Sequence, residues 1–143
     1  MAIADRVYTS GLQEMLDSGV TPLGNGAALL VDATFEFDAT ATTAPSSEIS
    51  DVGYSRATVT YSVTADATAN FPRVSIDLAD FSFSGFDGAT EVHAIVFLTS
   101  SGKPLAVING TAGIQALPLT PAAADPISVE TGSLGLIRIA TQG

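Results

Sequence analysis

The chain has 143 residues, 46% of them hydrophobic and 14% charged, with fifteen acidic against five basic side chains and a formal net charge of −10. That length suits one domain burying about two-thirds of its unfolded-chain surface, and the composition excludes a charge-rich disordered tail. The acidic balance opposes binding to a phosphate backbone, which needs clustered Lys and Arg, and the lack of cysteine excludes disulfides and thiolate metal sites.

The opening stretch, "MAIADRVYTSGLQEMLDSG", carries Asp5, Arg6, Glu14 and Asp17 where a signal peptide needs an apolar core. No run approaches the roughly 18 apolar residues of a membrane-spanning helix. The expectation is a protein made in the cytoplasm and used without secretion or membrane insertion. Leu12, Met15 and Leu16 fall at helical spacing and Gly19 can stop the turn, which predicts a short helix within an N-terminal arm, residues 1–20. In "TPLGNG", Pro22 fixes φ and Asn25-Gly26 tolerates positive φ, so a turn follows. A strand is predicted over residues 27–33, continued by the alternating pair Phe35 and Phe37. Residues 38–53 are mostly Ala, Thr, Ser, Asp and Pro, with Ile49 the single large aliphatic before Val52, and read as a long loop or arm.

"YSRATVTYSV" alternates: Ala57, Val59, Tyr61 and Val63 face one way, Arg56, Thr58, Thr60 and Ser62 the other. "TADATANFP" reads as a turn region. Val74, Ile76 and Leu78 share a face while Phe81 and Phe83 have the opposite parity, which predicts a bulge or bend at Ala79-Asp80. Residues 91–108, "EVHAIVFLTSSGKPLAVI", are two apolar runs around a hairpin loop in which Gly102 is available for positive φ. The Gly-, Pro- and Ala-rich "NGTAGIQALPLTPAAADP" reads as loop with edge-strand fragments, and "PISVE" and "LGLIRIA" supply the last strands. About seven short strands separated by turn signals predict a mainly β single domain over residues 1–143. It would be an antiparallel sandwich or barrel with one short N-terminal helix and extended arms. The run "HAIVFL" barely alternates, so its strand should be covered on both faces. A second sheet is expected on one side, and the helix or a neighbouring subunit on the other.

Candidate chemistry is thin. His93 is the sole histidine, no GxSxG elbow is present, and the ring reads as structural or interfacial. Asp87 and Glu91 around Gly88 lack the oxygen ladder of a calcium loop and read as a solvated turn. The glycines form no nucleotide-binding motif. Asn109-Gly110-Thr111 matches a glycosylation sequon, which means little without a signal peptide. Ten aromatics, none of them Trp, with Tyr8, Tyr54 and Tyr61 spread along the chain, make a poor stacking platform for sugars or bases. No catalytic residue, cofactor or metal ligand is assigned, and no enzyme is expected.

Taken as an ordered set of segments, the chain resembles a group of small bacteriophage virion proteins, minor structural or head-decoration proteins. The segments are "VYTSGLQEMLDSGV", "AALLVDATFEFD", "SDVGYSRATVTYSV", "VSIDLADFSFSGF", "EVHAIVFLTSSGKPLAVI" and "GLIRIA"; stretches 38–50 and 118–126 fall outside the resemblance. The resemblance implies a capsid decoration (cement) protein that sits on the virion surface and clamps neighbouring major capsid subunits. The major capsid protein is then the expected partner, and the chain a homo-oligomer, dimer or trimer, on the particle. Apolar residues of the arms and of the strand continuation, Ile3, Val7, Tyr8, Phe35, Phe37 and Ile49, are the expected contact residues. Alternatives of other classes are a tail, neck or fibre-associated virion protein and a carbohydrate-binding adhesin domain.

Overall fold

Apolar runs and turn residues divide the described residues into nine strands and one helix. The computed structural model describes residues 6–17, 25–66, 73–84, 86–108, 117–121, 127–129 and 137–140. In chain order the elements are β1 (Arg6–Val7), α1 (Thr9–Asp17), β2 (Asn25–Val31), β3 (Ala57–Asp66), β4 (Arg73–Leu78) and β5 (Phe81–Phe83). They continue with β6 (Ala94–Leu98), β7 (Pro104–Ile108), β8 (Ile127–Val129) and β9 (Ile137–Ala140). Seven strands form one antiparallel sheet in the order β1-β7-β6-β2-β3-β4-β9, which curls into a half-barrel, and β5 pairs with β8 in a second, small sheet.

The curl follows from a staggered pairing. The first residues of β3, 57–60, pair with β2, while residues 61–66 pair with β4, so each strand is displaced along its neighbour. Stagger of this kind tilts strands and bends a sheet towards closure. The parity change expected near Ala79-Asp80 is real, but its cause is a change of sheet. β4 ends at Leu78, the Ala79 N–H donates to the Thr60 carbonyl at 3.1 Å, and Phe81 and Phe83 then pair with β8. A bulge lies elsewhere: Phe97 faces Ala106 and Leu98 faces Pro104, leaving Leu105 as the extra residue of β7. Leu105 and Ala106 consequently both turn inward, which strict alternation forbids.

Burial explains the unalternating runs. Every residue of β6 and β7 is buried. On the concave side Leu30, Ile95, Phe97 and Ile108 pack with Val59, Tyr61 and Leu78 of the curled sheet and with Phe83, Ile127 and Val129 of the small one. On the convex side Leu29, Val31, Ala94, Val96, Leu98 and Val107 form a second cluster with Tyr8. Its cover is neither the helix nor a neighbouring subunit, as expected from sequence, but this chain's own loop, through Phe35, Phe37, Ala41 and Ala44. The helix instead packs Met15 and Leu12 against the main cluster beside β7. Gly11 permits this approach, because a Cβ there would collide with the Pro104 carbonyl and the Leu105 backbone.

The β6–β7 turn carries the positive φ expected at Gly102, +89°. Thr99 and Ser101 of that turn donate their hydroxyls to the Glu14 carboxylate at 2.6–2.8 Å, fastening α1 to the hairpin.

Candidate functional site

The loop over the convex face is fixed by a change of ladder partner on one edge of β2. Ala27 and Ala28 pair with Thr58 and Ala57, but Val31 pairs with Glu48. Around that bridge Asp32 N–H donates to the Ser47 carbonyl and Ile49 N–H to the Leu30 carbonyl, both at 3.0 Å. At the hand-over the Leu30 N–H meets the Tyr54 hydroxyl instead of a strand carbonyl, at 3.0 Å. Tyr54 in turn donates to Glu48 Oε1 at 3.0 Å, and Arg56 grips both Glu48 oxygens through Nε and Nη2 at 2.9 and 2.7 Å. Burial pushes the Tyr54 phenol above its ordinary value, and the guanidinium hydrogen bonds hold Glu48 below the usual carboxylate range. A side-chain relay thus replaces the ladder where two backbone partners part, keeping a buried N–H satisfied.

Within the loop the triplet Asp-Ala-Thr occurs at 32–34 and again at 38–40. In each, one Asp oxygen accepts from the Thr backbone N–H and hydroxyl: 2.8 and 2.6 Å for Asp32, 2.9 and 2.7 Å for Asp38. These Asx turns depress both carboxyls, the Thr hydroxyl contributing most. They flank Phe35, Glu36 and Phe37, and both aromatic rings pack on the sheet. The chain around β1 clips the loop down. Thr9 N–H donates to the Ala39 carbonyl at 2.9 Å and Ser10 Oγ to the Ala41 carbonyl at 2.6 Å. The Tyr8 and Phe37 ring centroids lie 4.8 Å apart, and the Arg6 guanidinium sits 5.2 Å from the Phe37 ring centre.

Beneath this loop is an open pocket of about 410 Å³, lined by Tyr8, Thr34, Glu36, Asp38, Thr43 and Ser46 among others. Tyr8 is 2% exposed, and burial, with the Asp38 charge second, pushes its phenol up to about 12. Among the described residues no buried side-chain nitrogen or oxygen lacks a hydrogen-bond partner.

A second tie holds the next bend. Asp51 accepts from the Ala89 and Thr90 N–H groups at 3.1 Å and from the Thr90 hydroxyl at 2.5 Å, which keeps its carboxyl below the ordinary range. Val52 pairs its backbone with Asp87 and leaves its side chain 80% exposed.

Of the six expected contact residues, Tyr8, Phe35 and Phe37 meet on the convex face. Ile49 is 5% exposed within the main cluster. Val7 is half-buried beside Leu12 and the 63% exposed Leu16, in a shallow groove along α1 of about 410 Å³. Ile3 lies outside the described residues, as do Gly19, the Asn109 sequon and the turn at Pro22. His93 Nε2 is 2.5 Å from Glu91 Oε1 on the surface, and the His93 backbone N–H donates to Val31. Thr34, Thr40, Glu48, Asp51 and Arg56 were missed from sequence; the repeated Asp-Ala-Thr was a readable turn signal for the first two. Among the described residues no three His, Asp or Glu side chains are grouped to hold a metal ion, and no helix is long and apolar enough to cross a membrane.

The geometry defines a mainly β half-barrel domain with a loop-covered convex face. No protein-family model, curated protein or solved structure matches the chain.

Proposed function

We propose that this chain is a bacteriophage virion structural protein, a decoration protein that binds the outside of the major capsid lattice and stabilises it. The reading starts from the ordered segments that resemble small virion proteins. The observation that carries it is the shallow apolar groove along α1, lined by the half-buried Val7 and Leu12 and the exposed Leu16. A subunit repeated on a lattice needs such a surface, because a buried Leu contributes about 1.5–3 kcal/mol with little dependence on salt. An exposed ion pair contributes roughly 0–1 kcal/mol and is screened. The net charge of −10 then serves solubility and encounter more than affinity. The protein is made in the host cytoplasm and resides on the virion surface as a dimer or trimer bound to the major capsid protein.

The test is to purify particles, wash them in molar sodium chloride, and count copies of this chain against the major capsid protein. Retention at a fixed ratio to capsid subunits, lost on Leu16→Asp, is the expected result. A few copies at one vertex would move the protein to the tail, neck or fibre. Its absence from particles ends the virion reading.

A further inference from the structure

We infer that the arm formed by β1 and α1 is exchangeable: the β7 edge that seats it also takes the arm of a second copy of this chain, and two copies close as a reciprocally exchanged dimer. The inference goes beyond the virion reading and is tested on the isolated protein, so that either can fail without the other.

The arm cannot stand alone. A helix of nine residues is too short to persist in water without a surface to pack on, and β1 adds two ladder pairs, Arg6 with Val107 and Val7 with Ala106. What seats the arm lies far along the chain. The Tyr8 N–H donates to the Leu105 carbonyl and the Thr9 N–H to the Ala39 carbonyl, both at 2.9 Å. Thr99 and Ser101 hold Glu14 from the β6–β7 turn. Tyr8, 2% exposed, belongs to the convex cluster and Met15, 6% exposed, to the main one. The body needs the arm equally. Without it β7 would end the sheet among the described residues with bare backbone groups, and each cluster would lose a large side chain.

The seat is specific to this sequence. At Gly11 a Cβ would collide with the Pro104 carbonyl and the Leu105 backbone, so a helix with another residue there is refused. A second copy fits better than an unrelated segment, because it matches at Tyr8, Gly11, Glu14 and Met15 together. The order of synthesis favours exchange as well. The arm emerges about a hundred residues before Val107, its ladder partner. The chain joins it to β2 through residues 18–24, a stretch that would reach about 25 Å if extended. Closed monomer and exchanged dimer contain the same arm contacts. The balance between them is therefore set by that link, whose effective concentration is about millimolar, and by the surface buried where two links cross. Leu16, 63% exposed, stands one residue from the end of α1, beside that crossing, and burying it favours two copies.

The experiment exploits a chain without cysteine. Val7→Cys with Ala106→Cys puts one thiol on the arm and one on its seat. The Tyr8 N–H points at β7, so Val7 and Ala106 are a pair whose backbone groups do not bond each other, where Cα atoms come within disulfide range. The full-length variant is unfolded in urea, refolded at about 10 μM and at about 1 mM, below and near the effective concentration of the link, then oxidised and run on a denaturing, non-reducing gel. A closed arm gives a crosslink within one chain, and an exchanged arm a covalent dimer. The dimer is expected to rise at least about fivefold between the two concentrations. As a safeguard against a variant that does not fold, the unaltered protein is refolded at about 1 mM as an equal mixture of isotope-labelled and unlabelled chains. Intermolecular NOEs are then expected between the Tyr8 ring of one copy and the Phe37 ring of the other, whose centroids lie 4.8 Å apart in the seat. Either signal supports the inference. Neither signal, or a dimer whose disulfides stay within single chains and which shows no such NOE, overturns it.

Discussion

The two faces of the β7-β6-β2 sheet are equally apolar and equally dry, but they are covered by different means. The concave face is closed by other strands, whose positions are set by backbone ladders running the length of each element. The convex face is closed by a loop. Its rings are held by two Asx turns, the clip from Thr9 and Ser10, and the Tyr54–Glu48–Arg56 relay. Ladders distribute a cover over many equivalent bonds, so removing one changes little. The loop depends on a few specific side chains. The same hydrophobic burial therefore belongs to two different cooperative units, the loop being the one that opens at lower free energy.

The largest test is Phe97→Ala, which empties the concave core and should cost about 3–5 kcal/mol in urea unfolding, with hydrogen-exchange protection falling throughout the sheet. Tyr54→Phe should cost about 1–3 kcal/mol by leaving the Leu30 N–H without its partner. If the unfolding midpoint is unmoved, the relay is not what joins loop to sheet. Phe37→Ala removes a half-buried ring from the convex cover and should cost about 1–2 kcal/mol, below the full-burial range. Its exchange signature should be confined to residues 32–47; a global loss would merge the two units into one.

Acid should sharpen the same contrast. Glu48 and Asp51 have folded-state pKa values below their unfolded ones. Their contribution is complete above the ordinary carboxylate range, about pH 4, and is lost as pH falls through the folded values. Residues 47–54 should loosen on acidification, as should the Asx turns at Asp32 and Asp38, and Glu48→Gln should flatten the part of the pH profile belonging to 47–54 in an exchange measurement. The smallest effect is expected for His93→Gln, whose surface contact with Glu91 should leave stability within about 0.5 kcal/mol of the parent.

The strands were legible because their signals are local. Alternation at Val59 and Tyr61, the hairpin at Gly102 and the run "HAIVFL" each state a facing or a turn within a few residues. Coverage of both faces followed from that run, but not the identity of the cover. Phe35 and Phe37 look like a strand continuing, and residues 38–53 look too polar to pack. Two rings suffice only because the Asx turns and the bridge at Glu48 place them, and those are relations between positions that composition does not record. Ile49 was misleading for a similar reason. One aliphatic in a polar stretch suggests an exposed anchor, yet its backbone bond to Leu30 carries it into the main core. Ile49→Asp would therefore damage folding before it could report on attachment.

The register of the two sheets also governs the order in which the molecule can be completed. β1 pairs Arg6 with Val107, β4 pairs Arg73 with Ala140, and β5 pairs Phe81 with Val129. During synthesis β2 emerges with only β3 to partner it, and its other edge waits for β6, more than sixty residues later (Val31 opposite Ala94). The loop bearing Phe35 and Phe37 emerges before most of the surface it covers. Long-range antiparallel pairing of this kind slows folding and prolongs the life of bare edges. For a nascent chain of this sequence, the interval before β6 and β7 arrive is when it is most exposed to association with its own kind.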